Sequence, residues 1–143
     1  MSEKTVQSPK PTPNPENRLD EEFWSHCADE RLCFQVCASC ETWRHLPRSF
    51  CAHCGSGDWS WKESSGQGRL YSWTVTHQPS LPQFLPDVPY IVAVIELNEG
   101  VRMVSPLRGV EPEKLEIDLP VALEFERVSD DVALPMFRAS AHA

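Results

Sequence analysis

The chain has 143 residues, 13 prolines, 6 cysteines and a formal net charge of −8. This length suits one domain of ordinary size or two very small ones, and the acidity argues against a general nucleic-acid-binding protein, which carries a basic face. The longest apolar run, residues 90–95, is far shorter than the roughly 20 residues that cross a bilayer, so we expect no membrane association.

The N-terminal segment is polar and rich in proline. It lacks the apolar stretch of a secretory signal, so we expect a cytoplasmic protein whose cysteines are thiols or metal ligands rather than disulfides. Residues 1–18 contain four prolines and few apolar side chains, too little to offset the entropy of ordering. This composition predicts a disordered tail over 1–18, and we also expect residues 141–143 to be flexible.

A helix is predicted to follow the tail. Asp20 is a suitable N-cap, acidic residues follow it in the first turn, and the apolar residues recur at helical spacing. We expect this helix to end near Arg31. Leu32, Phe34 and Val36 then alternate with other residues, which predicts a short strand running into Cys37.

Four cysteines form two knuckles, Cys37-Ala-Ser-Cys40 and Cys51-Ala-His-Cys54. Two residues between cysteines allow a tight turn to direct both sulfurs at one point, and two such turns supply four thiolates in a tetrahedron. Gly55 permits the positive φ that such a turn often needs. The spacing predicts one structural Zn²⁺ within a helix-plus-ribbon unit over residues 19–58.

Other interpretations of the cysteines remain open. Iron fits the same four ligands, since tetrahedral sulfur suits both metals. A redox pair of the thioredoxin type needs only one knuckle, at the start of a helix, so the paired knuckles disfavour it. Four thiolates close the coordination shell, which indicates a structural rather than a catalytic metal. Cys27 and Cys33 lie outside the knuckles and are predicted to be small buried side chains.

The second half of the chain has the pattern of short strands. Apolar and polar residues alternate over 71–76 and 121–126, and residues 90–97 and 101–107 flank a turn that predicts a hairpin. A further strand is expected at 134–138. The chain is therefore predicted to be mainly β, with an N-terminal helix, a zinc ribbon and an OB-fold-like barrel over residues 59–140.

The order of these segments resembles a known family. The helix and paired knuckles are followed by GQGRLYSWTV at residues 66–75, VIELNEGVR at 94–102, and EFER at 124–127. This order is similar to that of the rubredoxin-like zinc-ribbon plus OB-fold proteins called domain of unknown function family 35. The resemblance covers about residues 19–140. Glu41 departs from it, because members often have glycine after the first knuckle.

The resemblance implies an accessory subunit of a CoA-ester enzyme, without activity of its own. Members are encoded or fused with thiolases, lipid-transfer-type retro-aldolases and MaoC-like enoyl-CoA hydratases, and a thiolase or retro-aldolase is our first choice of partner. We expect a hetero-oligomer, with two copies of each chain as the simplest stoichiometry, and contact with an acyl-CoA ester.

In so acidic a chain, CoA phosphates would need a local basic site, for which Arg44, Arg48 and Arg69 are the candidates. The proline-rich residues 78–89 are expected to be extended, with apolar side chains that pack on the barrel or contact a partner or acyl group. The candidate partner or acyl contacts are Phe23, Trp24, Trp43, Phe50, Leu81, Phe84 and Leu85.

Two other functions stay open at this point. The sequence contains no phosphate-binding glycine loop, nucleophile elbow or His-Glu-x-x-His motif, which favours a binding protein over an enzyme. A single-strand nucleic-acid module could stack bases on Trp61, Tyr71 and Trp73, although the net charge opposes it. An independent acyl-CoA-binding protein would use the same basic residues as the subunit.

Overall fold

In the computed structural model, residues 9–140 are described; the remainder of the predicted N-terminal tail and residues 141–143 lie outside this range. Residues 9–140 form one α-helix, eight strands and two short 3₁₀ helices, Pro82–Asp87 and Pro112–Lys114. The longer elements are α1 (Arg18–Ala28), β1 (Cys33–Cys37), β2 (Trp43–Arg44), β3 (Trp59–Glu63), β4 (Gln67–Thr76), β5 (Tyr90–Leu97), β6 (Arg102–Arg108), β7 (Pro120–Arg127) and β8 (Ala133–Ala139). Within the described residues, no helix has the length and apolarity needed to span a bilayer.

Helix α1 begins earlier than predicted. Its N-cap is Asn17, whose side-chain oxygen accepts a hydrogen bond from the backbone N–H of Asp20 at 3.0 Å. The prediction of Asp20 as the cap was wrong because asparagine is an equally good cap and leaves Asp20 in the first turn, where the helix dipole favours an acid. The helix ends at Ala28, because Glu30 adopts a left-handed φ of 56°.

The ribbon is a three-stranded sheet in the order β2-β1-β3. The predicted short strand running into Cys37 is β1, and every residue of it is buried. Helix α1 packs on this strand, and its polar residue Gln35 is enclosed by the loop after β2. Strand β3 pairs with β1 along its whole length. The change from ribbon sheet to barrel therefore falls between Glu63 and Gln67, whereas the predicted boundary at residue 59 placed β3 in the barrel.

The remaining five strands form a closed barrel in the order β4-β5-β6-β8-β7, confirming the predicted mainly β architecture. Strand β5 shows strict alternation, with Ile91, Ala93, Ile95 and Leu97 directed into the core. A β-carbon on Gly68 would lie 2.5 Å from the carbonyl oxygen of the neighbouring β5 strand, so only glycine allows this approach.

Ribbon and barrel share one hydrophobic core. Phe23 from α1 and Phe34 from β1 belong to the same buried cluster as Leu70 and Phe137 of the barrel. The guanidinium of Arg127 in β7 also donates a hydrogen bond to the carbonyl oxygen of the last helical residue, Ala28, at 2.8 Å. This continuity holds the metal-binding loops against the barrel.

Candidate metal centre and partner surface

The four knuckle cysteines converge at one end of the ribbon sheet. Cys37 ends β1, Cys40 lies in the following turn, and Cys51 and Cys54 lie in the loop before β3. Their sulfurs all lie within 4.8 Å of one another, with Sγ–Sγ distances of 3.5 Å for Cys37–Cys54 and 3.6 Å for Cys40–Cys51. Tetrahedral zinc with Zn–S bonds of about 2.3 Å separates its sulfurs by about 3.8 Å, so the cluster fits Zn²⁺.

The two knuckles share one backbone conformation. The N–H of Glu41 donates to the carbonyl of Cys37 at 2.9 Å, and the N–H of Gly55 donates to that of Cys51 at 2.8 Å. Both donors have positive φ, 62° for Glu41 and 80° for Gly55. The predicted turn at Gly55 is confirmed, and Glu41 occupies a conformation that disfavours side chains other than glycine or asparagine.

Backbone N–H groups prepare two of the thiols for metal binding. The N–H of Cys40, followed by that of Ser39, lowers the pKa of the Cys37 thiol to about 6. The N–H groups of Cys54 and His53 likewise lower the pKa of Cys51. Since the thiolate is the form that binds metal, the turns favour the ligand state of these sulfurs before a metal arrives.

The other two cysteines are buried, as predicted. Cys27 and Cys33 are 0% and 2% exposed, and burial raises the pKa of Cys27 to about 12 and also raises that of Cys33. Both stay protonated and unreactive at neutral pH. The metal centre therefore uses only the knuckle cysteines.

The structure brings two of the three candidate CoA-phosphate contacts together. Arg44 and Arg48 line a groove of about 340 Å³ between β6 and the ribbon loop, which is residues 45–58 between β2 and β3. Arg102 lines the groove with them. Arg69 lies on β4, where it pairs with Glu96 and with Asp118. The sequence contained no signal for Arg102, because its proximity to the ribbon depends on how the β5–β6 hairpin packs.

Arg44 has a structural role that sequence reasoning missed. It is only 8% exposed; its Nε donates to Gln35 Oε1 at 3.0 Å and its Nη2 to the carbonyl of Arg48 at 2.9 Å. Its Nη1 is buried without a hydrogen-bond partner among the described residues. These hydrogen bonds of Arg44 hold the ribbon loop against the ribbon sheet, whereas the side chain of Arg48 is exposed to solvent.

The predicted partner contacts differ in how far their side chains are exposed to solvent. Phe50 is 66% exposed and Leu81 and Leu85 are 42% and 55% exposed, so these three remain available to a partner. Trp24, Trp43 and Phe84 are half-buried. Phe23 is 5% exposed and packs in the core, so we do not retain it as a contact.

The segment that carries Leu81 and Leu85 is not extended as predicted. Residues 82–87 form a 3₁₀ helix with Pro82 in its first turn, a position where proline's missing N–H and fixed φ are compatible with a helix. The turn places the ring of Phe84 6.2 Å from that of Tyr90.

Sequence reasoning also missed two exposed apolar side chains. Leu46 and Val104 are 67% and 66% exposed, and they lie along one cleft of about 380 Å³ between the ribbon loop and β6. Leu46 and Val104 form an exposed apolar surface of the kind that marks protein interfaces, while Phe50, farther along the ribbon loop, lines a separate cleft with Trp59 and Trp61. Isolated leucine and valine residues in a sequence do not show which of them share a face.

His45, at the base of this cleft, makes the fold sensitive to acid. Its ring lies 5.0 Å from Phe23 and 5.3 Å from Phe34, and burial, assisted by the charge of Arg48, lowers its pKa to about 4. Between pH 6.5 and 4 the unfolded chain binds a proton that the folded chain does not, so stability falls as the pH falls. The expected loss is about 2 kcal/mol between pH 7.5 and pH 5.

Urea denaturation of zinc-loaded protein at the two pH values measures this loss. His45→Phe should reduce the pH dependence, while His77→Asn, at an exposed histidine, should leave it unchanged. Both variants keep the metal ligands, so acid release of zinc should affect them equally. A difference between their pH dependences of stability therefore reports the protonation of His45. An unchanged pH dependence in His45→Phe would contradict the assignment.

A helix, a four-cysteine ribbon and a closed five-stranded barrel on one core define a zinc-ribbon plus OB-fold protein. Residues 24–60 match the family description "ChsH2, rubredoxin-like zinc ribbon domain", and residues 61–126 match "ChsH2, C-terminal OB-fold domain". The chain belongs to the DUF35 family, and its ribbon holds one structural zinc.

Relatives of this chain occur as small proteins and within larger ones. It is 30% identical over 111 residues to a "DUF35 domain-containing scaffold protein" of Methanothermobacter thermautotrophicus, an alignment covering 63% of this chain and 83% of the relative. It is 44% identical over 139 residues to a "Probable enoyl-CoA hydratase alpha subunit" of Thermomonospora curvata, covering 96% of this chain. The chain spans only 43% of that subunit's length.

A solved structure extends the comparison to the fold. A chain of the "Ltp2-ChsH2(DUF35) aldolase" superposes with a TM-score of 0.75 at 43% sequence identity. The match covers 88% of this chain and 98% of that one. Nearly the whole of that aldolase component therefore has a counterpart here.

Proposed function

We propose that this protein is a non-catalytic subunit that binds a CoA-ester enzyme and contributes to its stability and to acyl-CoA binding. The observation that carries the proposal is the match to nearly all of the ChsH2(DUF35) chain of a solved aldolase. A relative named as an enoyl-CoA hydratase subunit and another named as a scaffold protein support the same role. Of the possible partners, we favour a lipid-transfer-type retro-aldolase or a thiolase.

The ribbon loop is the proposed partner surface. Leu46 and Phe50 of the ribbon loop and Val104 of the neighbouring β6 are each at least 66% exposed, and the hydrogen bonds that Gln35 and Arg44 make with the backbone of Arg48 hold the loop that carries Leu46. A partner that covered these side chains would remove apolar area from water at little ordering cost, because the loop is already held in place. The proposed complex is a hetero-oligomer, for which two copies of each chain is the simplest assembly.

An anionic CoA ester must meet this chain at a locally basic site, since the chain as a whole carries −8. The groove between ribbon loop and β6 offers Arg44, Arg48 and Arg102, with no carboxylate among its lining residues. We propose Arg48 and Arg102 as the phosphate contacts, with Arg44 supporting the wall. Arg102 pairs with one carboxylate, that of Glu96 at 2.8 Å, whereas Arg69 pairs with two, so Arg69 is the less suited of the two. The same groove would also suit an independent acyl-CoA-binding protein. Coexpression with candidate partner enzymes distinguishes that function from the subunit role.

Coexpression with candidate retro-aldolases and thiolases tests the proposal. We expect a complex that copurifies through size exclusion, contains zinc and is more active than the partner alone. Leu46→Asp should weaken the complex by at least about tenfold, since it puts a charge in a desolvated contact. Ile117→Asp, at a residue of similar exposure (62%) outside the ribbon loop, is the matched control and should bind normally.

A candidate partner that is fully active and soluble alone, and that forms no complex with this chain, would contradict the subunit role for that class of enzyme. If a complex forms but Leu46→Asp and Ile117→Asp bind alike, the role stands and the proposed surface is wrong. Binding of CoA to the isolated chain, without any complex, would favour the independent acyl-CoA-binding function.

A further inference from the structure

A cavity of about 660 Å³ lies at the end of the β5–β6 hairpin opposite its turn. Its walls come from Lys10 and Pro11 of the N-terminal segment (residues 9–16), the first 3₁₀ helix, the start of β5, the end of β6 with the loop that follows it, and parts of β7 and β8. This volume falls within the range of small-molecule sites in proteins, roughly 300–1,000 Å³. Phe84, one of the candidate partner or acyl contacts, lines it, whereas Leu46, Phe50, Val104 and the proposed phosphate contacts do not.

The lining chemistry disfavours an anion. Its apolar surface includes Phe84, Tyr90, Val110 and Met136. Its ionisable residues are two basic and three acidic ones, and both basic residues are already paired, Lys10 with Asp87 at 2.5 Å and Arg108 with Glu126 at 3.3 Å. An incoming phosphate or carboxylate would face an excess of negative charge, whereas an uncharged hydrocarbon group would meet matching apolar walls.

One wall of the cavity is held by weak contacts. The ammonium of Lys10 pairs with Asp87, where the two side chains are 51% and 44% exposed, and it lies 5.4 Å from the ring centre of Phe84. Exposed ion pairs contribute little to stability, because water screens the charges and both side chains lose freedom. The N-terminal segment can therefore separate from the 3₁₀ helix without disturbing the barrel.

From these observations we propose that the cavity binds an uncharged apolar group, a hydrocarbon chain or ring, and that the N-terminal segment is its movable wall. Lys10 and Asp87 form the contact that closes it. The proposal concerns this chain alone and stands independently of any enzyme partner.

Fluorescence titration of the zinc-loaded full-length protein with N-phenyl-1-naphthylamine, an uncharged apolar probe, tests the site. We expect saturable binding at one site per chain. Val110→Trp should abolish it by filling the cavity from a loop, and Pro112→Trp, on the second 3₁₀ helix, is a second blocking variant if the first fails to fold. Absence of saturable binding, or unchanged binding in a folded blocking variant, would overturn the site.

A charge reversal tests the movable wall. Lys10→Glu places two negative charges together and favours the open wall, so the probe should associate about threefold faster, as measured by stopped-flow fluorescence. Lys62→Glu, on β3 of the ribbon, makes the same charge change away from the cavity and should leave the association rate unchanged. Equal effects of the two variants would show that the N-terminal segment does not control access.

Discussion

Removal of zinc is expected to unfold the ribbon. Structural zinc contributes roughly 10–16 kcal/mol in small zinc-finger peptides, comparable with the total stability of a domain at about 5–15 kcal/mol. Here the four thiolates hold two loops that contain little regular structure, and the ribbon shares its core with the barrel. Treatment with a strong chelator should therefore collapse the dispersion of the ribbon resonances in an NMR spectrum and expose the core residues Phe23 and Phe34.

Single ligand substitutions should act in the same way. Cys40→Ser is expected to lower the zinc content well below one per chain and to reduce stability by about 10 kcal/mol, enough to prevent folding of the ribbon. Cys33→Ala, at a buried cysteine outside the knuckles, is the matched control and should retain a full equivalent of zinc. Elemental analysis with NMR measures both properties, and a folded, metal-free ribbon would contradict the structural role of the metal.

Loss of the Gln35 side chain is expected to have the second-largest effect. Gln35 is fully buried; its Oε1 accepts hydrogen bonds from Arg44 Nε at 3.0 Å and from the N–H of Arg48 at 2.8 Å, and its Nε2 donates to the carbonyl of Arg48 at 3.0 Å. Gln35→Leu removes all three bonds and leaves the Arg44 guanidinium buried with one remaining partner. We expect a loss of about 4 kcal/mol, measured by urea denaturation of the zinc-loaded protein.

A double variant separates the buried charge from the lost packing. Gln35→Leu combined with Arg44→Met replaces both polar groups with apolar ones of similar size, so it should be more stable than Gln35→Leu alone. Gln35→Leu should also weaken the proposed complex, because the loop that carries Leu46 depends on these bonds. A stability within about 1 kcal/mol of the parent would show that the loop is held by other contacts.

The metal centre was predictable because its signal is local. Two residues between cysteines specify a turn, and two such turns specify a four-ligand site whatever the rest of the fold does. The barrel strands were predictable for a similar reason. In β5, alternate side chains face the core and the solvent, and this period of two is visible in the sequence without knowledge of the neighbouring strands.

The features that the sequence did not show depend on packing between residues far apart in the chain. The alternating residues of β1 did not show that the strand is buried on both faces, because that burial depends on α1 and on the loop after β2. Arg44 looked like a free surface cation until the fold enclosed it beside Gln35. Phe23 was equally suited to an interface or a core, and only the packing of α1 against the shared core resolves the choice.

The amino-acid sequence by itself determined the mainly β class, the four zinc ligands, the hairpins of the barrel and the family resemblance, because each depends on spacing within a few neighbouring residues. The tertiary structure alone decided that Arg102, rather than Arg69, joins the basic groove, that Leu46 and Val104 share one cleft, and that Lys10 meets Asp87 across the end cavity. These contacts join residues far apart in the chain, and their proximity depends on how the barrel closes and how the ribbon packs against it.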